Sequence, residues 1–202
     1  MPTYRVAVCA SGRGSNLAAL IDGLRGTEAG VVLVLSNRPD AGALAIAEAH
    51  AIPTHVFADP ADSGEWMQVL GTGPIDLVVL AGYLKAVPPD VTEEWAGRMI
   101  NIHPSLLPAH GGAGMYGLRV HRAVLAAGDP RSGATVHLVT PEYDQGPILG
   151  QEHVPVLPED TPETLAARVL AVEHPLLTAA VRAAARAGRP VPFATSSVPS
   201  FP

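Results

Sequence analysis

One cysteine, Cys9, in 202 residues leaves no partner for an intramolecular disulfide and excludes a Cys-rich zinc site, so a reducing cytoplasm is the expected compartment. Charge is also scarce, 16% of residues against a usual ~25%. Lys and Arg number 13 against 19 Asp and Glu, a net charge of −6 with histidines neutral, and no basic run is present to neutralise a phosphate backbone. Nucleic acid is therefore not an expected partner. No apolar stretch approaches the roughly 18 residues needed to span a bilayer, and Val6 to Ala10 is too short for a secretory leader, so no membrane partner is expected either. His50, His55, His110, His121, His153 and His174 lack Cys or acidic neighbours at metal-ligand spacing, and no metal is expected.

What is present is apolar residue, at 48%, together with 20 glycines and 20 prolines. The apolar residues recur with regular periods, so glycine and proline punctuate elements rather than dissolve them. Tyr4 to Ala10 reads as a buried strand, and a glycine loop separates it from a helical pattern at Leu17, Leu20, Ile21 and Leu24. Further strands are expected at Val31 to Leu35, at Pro53 to Val56 on an edge, and at Ile75 to Leu80, with Ala-rich helical sequence reaching Ala51. Strands alternating with helices through short loops predict an α/β fold: a doubly wound, mostly parallel sheet with helices on both faces, in one domain.

The later chain adds a strand ending at His103, a glycine-rich segment from Ala109 to Gly117, a helix at Val120 to Ala127, and strands at Ala134 to Val139 and Pro147 to Val156. A long helix follows, with Asp160 and Glu163 as its expected capping box, Leu165, Val169, Val172 and Leu176 on its apolar face, and a kink at Pro175. Residues 1–190 are expected to form the domain and 191–202 a loose tail, with little to pack from Phe193 onward.

Gly12-Arg13-Gly14-Ser15-Asn16 lies between a strand and a helix, where unpaired N–H groups and the helix dipole favour an anion. The alternative is a tight turn whose Ser15 or Asn16 caps the helix. In Asn101-Ile102-His103-Pro104, strand alternation puts Asn101 and His103 on one side at a strand end. Histidine moves protons near neutrality and an Asn amide stabilises a developing oxyanion, the two functions that acyl-type transfer needs. A loop histidine satisfied by backbone is the competing reading. Asp144, in the Thr140 to Pro147 loop, either holds a turn or orients His103 and favours its protonated form. His137 is either support for the site or packing, and Glu173, beside Pro175, either a solvated helix residue or a carboxylate turned toward a ligand.

Taken together, Ala10 to Leu17, Val78 to Tyr83, Asn101 to Pro108, Gly133 to His137 and Asp144 to Ile148 resemble the phosphoribosylglycinamide formyltransferases, in order from about Tyr4 to Pro190. The resemblance implies a Rossmann-like fold and formyl transfer from 10-formyltetrahydrofolate, a co-substrate, to the amine of glycinamide ribonucleotide in purine synthesis, without a metal. It implies catalytic roles for Asn101, His103 and Asp144, with His137 behind them. Glycinamide ribonucleotide would be held by Gly12, Arg13, Gly14, Ser15, Asn16 and Glu173. The folate would be held by Leu84, Lys85, Ala86, Val87, Asn101, Thr140, Pro141, Glu142, Tyr143 and Asp144, with Lys85 drawing the glutamate tail.

Small molecules are the implied partners, and the chain would act as a monomer or homodimer. Two features depart from the family: the segment from Ala58 to Pro74 is short and lacks an arginine, and the Ala109 to Gly117 loop is long and glycine-rich, as for a mobile flap. Formyltetrahydrofolate hydrolase is the nearest alternative, set apart by an extra N-terminal regulatory domain. Methionyl-tRNA formyltransferase would add a C-terminal tRNA-binding domain. A non-catalytic nucleotide-binding module would leave the three polar residues without a task.

Overall fold

A computed structural model describes residues 2–195. In chain order the elements are β1 (Tyr4–Cys9), α1 (Ser15–Gly23), β2 (Ala29–Ser36), α2 (Gly42–Ala49), β3 (Thr54–Val56), α3 (Ser63–Leu70), β4 (Leu77–Leu80), α4 (Pro89–Glu94), β5 (Met99–His103), α5 (Leu118–Ala127), β6 (Arg131–Leu138), β7 (Ile148–Pro155) and α6 (Pro162–Ala187). The strands form one sheet in the order β3-β2-β1-β4-β5-β6-β7. From β3 to β5 neighbouring strands are parallel, and β6 and β7 are added antiparallel.

Side-chain alternation along the strands sorts the core into two halves. Val6 and Val8 of β1, with Val79 of β4 and Ile100 and Ile102 of β5, join Leu17 and Leu20 of α1 and Leu165, Val169 and Leu177 of α6. Ala7 and Cys9, Val78 and Leu80, and Met99 face the other way, onto Trp66 of α3 and Val91 of α4. Helices therefore cover both faces, as the expected doubly wound sheet requires. The chain leaves β1 toward β2 and β3, then returns to place β4 on the other side of β1. That reversal opens a crevice at the carboxyl ends of β1 and β4.

Several local expectations are corrected. The capping box of α6 is formed by Thr161 and Thr164, each hydroxyl accepting from the other's backbone N–H, because Asp160 is claimed by Arg168 at 2.6 Å. Pro175 lies inside the helix, as expected, and removes one N–H without ending it before Gly188. Contrary to the expectation from apolar run length, α6 is long and apolar enough by length and composition to cross a membrane. Its apolar side is spent instead on β6, β7, α1 and α5. Phe193, expected in a loose tail, packs on the core with its N–H on the Leu149 carbonyl. The rest of that tail, 196–202, lies outside the described residues.

Two short helices were not expected. Within the short Ala58 to Pro74 segment, Asp62 caps α3 by accepting from the Gly64 N–H. Trp66 on that helix is fully buried, its indole stacked on Phe57 and its Nε1–H on the Pro60 carbonyl. Proline at its first turn starts α4. Trp66→Ala should lower the unfolding free energy by ~3–5 kcal/mol in a urea titration; a loss below about 1 kcal/mol would show that the aromatic cluster does not anchor this face.

Candidate active site

The turn from Gly12 to Asn16 connects β1 to α1 at the crevice. Gly14 occupies the helix N-cap in the left-handed conformation, φ 82°, and no side chain caps the helix. Ser15 and Asn16 are thus not spent as caps, and the first N–H groups of α1 stay available to an anion. A Cβ at Gly14 would also stand 2.7 Å from the Ala43 Cα of α2, so the turn has no room for one. Asn16 donates instead to Glu173, across from α6, with Nδ2 2.8 Å from Oε2, and its own Oδ1 is buried without a partner.

Glu173 is not the solvated helix residue of the alternative reading. It is buried, and burial pushes its carboxyl above the usual carboxylate range while the Asn16 amide pulls it back. An amine or hydroxyl donor brought to this carboxylate would relieve its desolvation.

Alternation in β5 places Asn101 and His103 on the face opposite Ile100 and Ile102. Antiparallel pairing then sets His137 of β6 beside Asn101. Asp144 reaches them from the β6–β7 loop in a left-handed conformation, φ 55°. Its Oδ2 lies 3.5 Å from His103 Nδ1 and accepts the Gly112 N–H at 2.8 Å, while its Oδ1 lies 3.4 Å from both Asn101 Nδ2 and His137 Nε2. His137 keeps its Nδ1–H on the Leu138 carbonyl, which turns its Nε2 toward Asn101 Nδ2 at 3.1 Å. The loop is held by Gly146, where a Cβ would collide with the Leu138 carbonyl oxygen.

The electrostatics depart from expectation at one point. Burial pushes the Asp144 carboxyl up, but His137, His103 and the Gly112 N–H together hold it below the ordinary value. His103 moves the other way from the sequence reading. Burial is the dominant influence and lowers its pKa, and Asp144 and the His110 carbonyl oppose this without reversing it. The free site therefore favours the uncharged imidazole rather than a preformed cation. Its Nε2–H donates to the His110 carbonyl at 2.9 Å, which leaves Nδ1, on the Asp144 side, as the nitrogen that takes up a proton.

These groups line one cavity of about 500 Å³. Gly12 to Asn16 and Glu173, Leu84 to Val87 and Thr140 to Asp144, and Asn101, His103 and His137 all lie on its walls. Leu84, Tyr116 and Tyr143 are large apolar side chains of this lining left open, each nearly half exposed. Every residue singled out from the sequence for a binding or catalytic role is thus at the same cavity.

Others were missed. His121 of α5 lines the cavity with its Nδ1 buried and unpartnered, and burial lowers its pKa. A polar residue on the buried helix face between Val120 and Val124 was the available signal. The glycine-rich loop is seated on the site: beyond the His110 carbonyl and the Gly112 N–H, the His110 ring is tied to Asp129 at 2.6 Å. Among the described residues, no group of three or more His, Cys, Asp or Glu is placed to hold a metal ion.

Residues 4–181 match the formyl transferase family. The chain is 43% identical over 188 residues to the chloroplastic phosphoribosylglycinamide formyltransferase of Arabidopsis thaliana, covering 89% of this chain and 64% of the relative. It spans less than two thirds of the length of the plant relatives it matches. Among solved structures, the phosphoribosylglycinamide formyltransferase of Anaplasma phagocytophilum superposes with a TM-score of 0.84 at 40% identity, covering 91% of this chain and 87% of that one. A formyltetrahydrofolate deformylase from Pseudomonas syringae pv. tomato gives 0.81 at 33% identity, covering 92% of this chain and 62% of that one.

Glu173 offers a direct test of the buried-carboxylate geometry. Its pKa is raised in the folded state, so the stability it contributes is full below about pH 4.3, its ordinary value, and is lost as pH rises through the folded-state value. Glu173→Gln, which keeps an acceptor for Asn16 without the charge, should stabilise the fold measurably at pH 8 and by little at pH 4. Denaturant midpoints at the two pH values measure this, and an equal shift at both would contradict a buried charge.

Proposed function

The chain belongs to the formyl transferase family, and from that premise we propose that it transfers the formyl group of 10-formyltetrahydrofolate to the amine of glycinamide ribonucleotide, a step of purine synthesis. One observation carries the reading: a single cavity is lined both by an uncapped helix N-terminus beside a buried carboxylate and by open apolar side chains, with a set of proton-handling and hydrogen-bonding side chains among its walls. In this reading residues 1–190 are the catalytic domain of a cytoplasmic enzyme, a monomer or homodimer, acting on small molecules.

The ribonucleotide phosphate docks on the N–H groups of Gly12 to Asn16, with Arg13 supplying charge, and Glu173 receives donors from the sugar or amine end. The folate lies against Leu84, Lys85, Ala86 and Val87 and the loop from Thr140 to Asp144, where open apolar and aromatic surface suits a flat ring system and Lys85 attracts the glutamate tail. It supplies the formyl carbon, bonded to its N10 nitrogen.

Holding both substrates in one crevice makes the attack effectively intramolecular. The amine nitrogen bonds to the formyl carbon, and the Asn101 amide N–H stabilises the negative charge that develops on the formyl oxygen. His103, uncharged beforehand, accepts at Nδ1 the proton the amine sheds, and Asp144 stabilises the imidazolium as it forms. His103 then returns that proton to N10 as the carbon–N10 bond breaks, leaving a formylated amine and tetrahydrofolate. His137 accepts one Asn101 N–H at 3.1 Å and holds the amide in place, while the second N–H, on Asp144 at a long 3.4 Å in the free site, turns to the formyl oxygen.

Purified protein given 10-formyltetrahydrofolate should release tetrahydrofolate only when glycinamide ribonucleotide is added. Release without the acceptor would instead assign the chain the hydrolytic reaction, the alternative favoured by its likeness to the deformylase. His103→Ala and Asp144→Ala should each lower kcat by more than about tenfold while calorimetric binding of the ribonucleotide survives. Near-normal turnover of the His103 variant would overturn its role.

A further inference from the structure

Ser11 lies one residue before the glycine loop and is fully enclosed, outside the lining of the cavity. Its hydroxyl donates to Oδ1 of Asn37, just beyond β2, and accepts the backbone N–H of Leu84, beyond β4, at 2.8 Å. Its own N–H donates to the Gly82 carbonyl at 3.0 Å. Three strand ends at the crevice, those of β1, β2 and β4, therefore meet on one side chain. A hydroxyl has a single proton to give. Because Asn37 takes it, a lone pair is left for Leu84, and the polarity of the whole junction is set.

We propose that the Ser11 hydroxyl is a positioning group that couples the Gly12 to Asn16 loop to the Leu84 to Val87 segment, so that each substrate tightens the binding of the other. This rests on the formyl-transfer reading above. A phosphate on the Gly12 to Asn16 N–H groups fixes the peptide planes that follow Ser11, and with them the direction of its Oγ. That oxygen holds the first N–H of the Leu84 to Val87 segment, against which the folate lies. Ordering of one segment therefore removes freedom the other would otherwise lose on binding, and the effect is reciprocal by linkage. No contact between Ser11 and either substrate is required.

Titration of tetrahydrofolate, which has no formyl group to lose, into the wild-type protein with and without saturating glycinamide ribonucleotide reads the coupling directly. The nucleotide should tighten the folate Kd by about fivefold or more. In Ser11→Ala this factor should fall below about twofold, each substrate alone binding within about threefold of wild type. Ser11→Thr, which keeps the hydroxyl, should restore it. Asn37→Ala, at a partly buried position, should reduce the factor without touching Ser11, which guards against a folding defect in the first variant. In turnover, Ser11→Ala should raise both KM values and leave the pH profile of kcat in place.

A Ser11→Ala factor equal to wild type, or a wild-type factor near one, overturns the proposal while leaving formyl transfer intact. Absence of nucleotide-dependent formyl transfer by the wild-type protein overturns the functional reading itself, and the coupling with it.

Discussion

A carboxylate kept ionised in a nearly dry place is the condition on which the site depends. Asp144 is drawn out of water where the β6–β7 loop packs against β5, β6 and the glycine-rich loop, and that desolvation works against its charge. Two imidazoles, an amide and a backbone N–H surround it and tip the balance back. The same low-dielectric setting acts on His103, where it wins, so the pair sits with the acid charged and the base empty. This is the starting state that the proposed proton transfers need.

Much of this was legible in the sequence where local periodicity decides the outcome. Alternation along five residues of β5 is enough to put Asn101 and His103 on one side, and the structure keeps them there. The strand–glycine–helix order likewise marked the crevice at β1. What was not legible depends on partners distant in the chain. Asp160 and Thr161 are both competent caps, and only the approach of Arg168 from two turns away decides between them. The direction of the His103 shift follows from how completely the glycine-rich loop and its neighbours exclude water, which no spacing encodes. Trp66 anchors a helix within a segment whose brevity drew attention to what it lacked rather than to the apolar face it carries.

The architecture explains why the two proposed ligand surfaces are so unlike. One belongs to the parallel half of the sheet, where a helix N-terminus faces the crevice and offers N–H groups. The other is shared with the antiparallel addition, whose β6–β7 connection is free to carry aromatic and acidic side chains. β5 stands at the seam, parallel to one neighbour and antiparallel to the next, and it supplies two of the three residues assigned to the chemistry.

Cys9 lies on the inward face of β1, wholly enclosed, and enclosure alone pushes its thiol far above the ordinary range. The thiolate is the form that peroxides, disulfides and alkylating reagents attack, and here it is all but abolished. With no second sulfhydryl in the chain, no disulfide can form within it, and reagents that disable thiol-dependent enzymes by attack at sulfur would leave this cysteine alone.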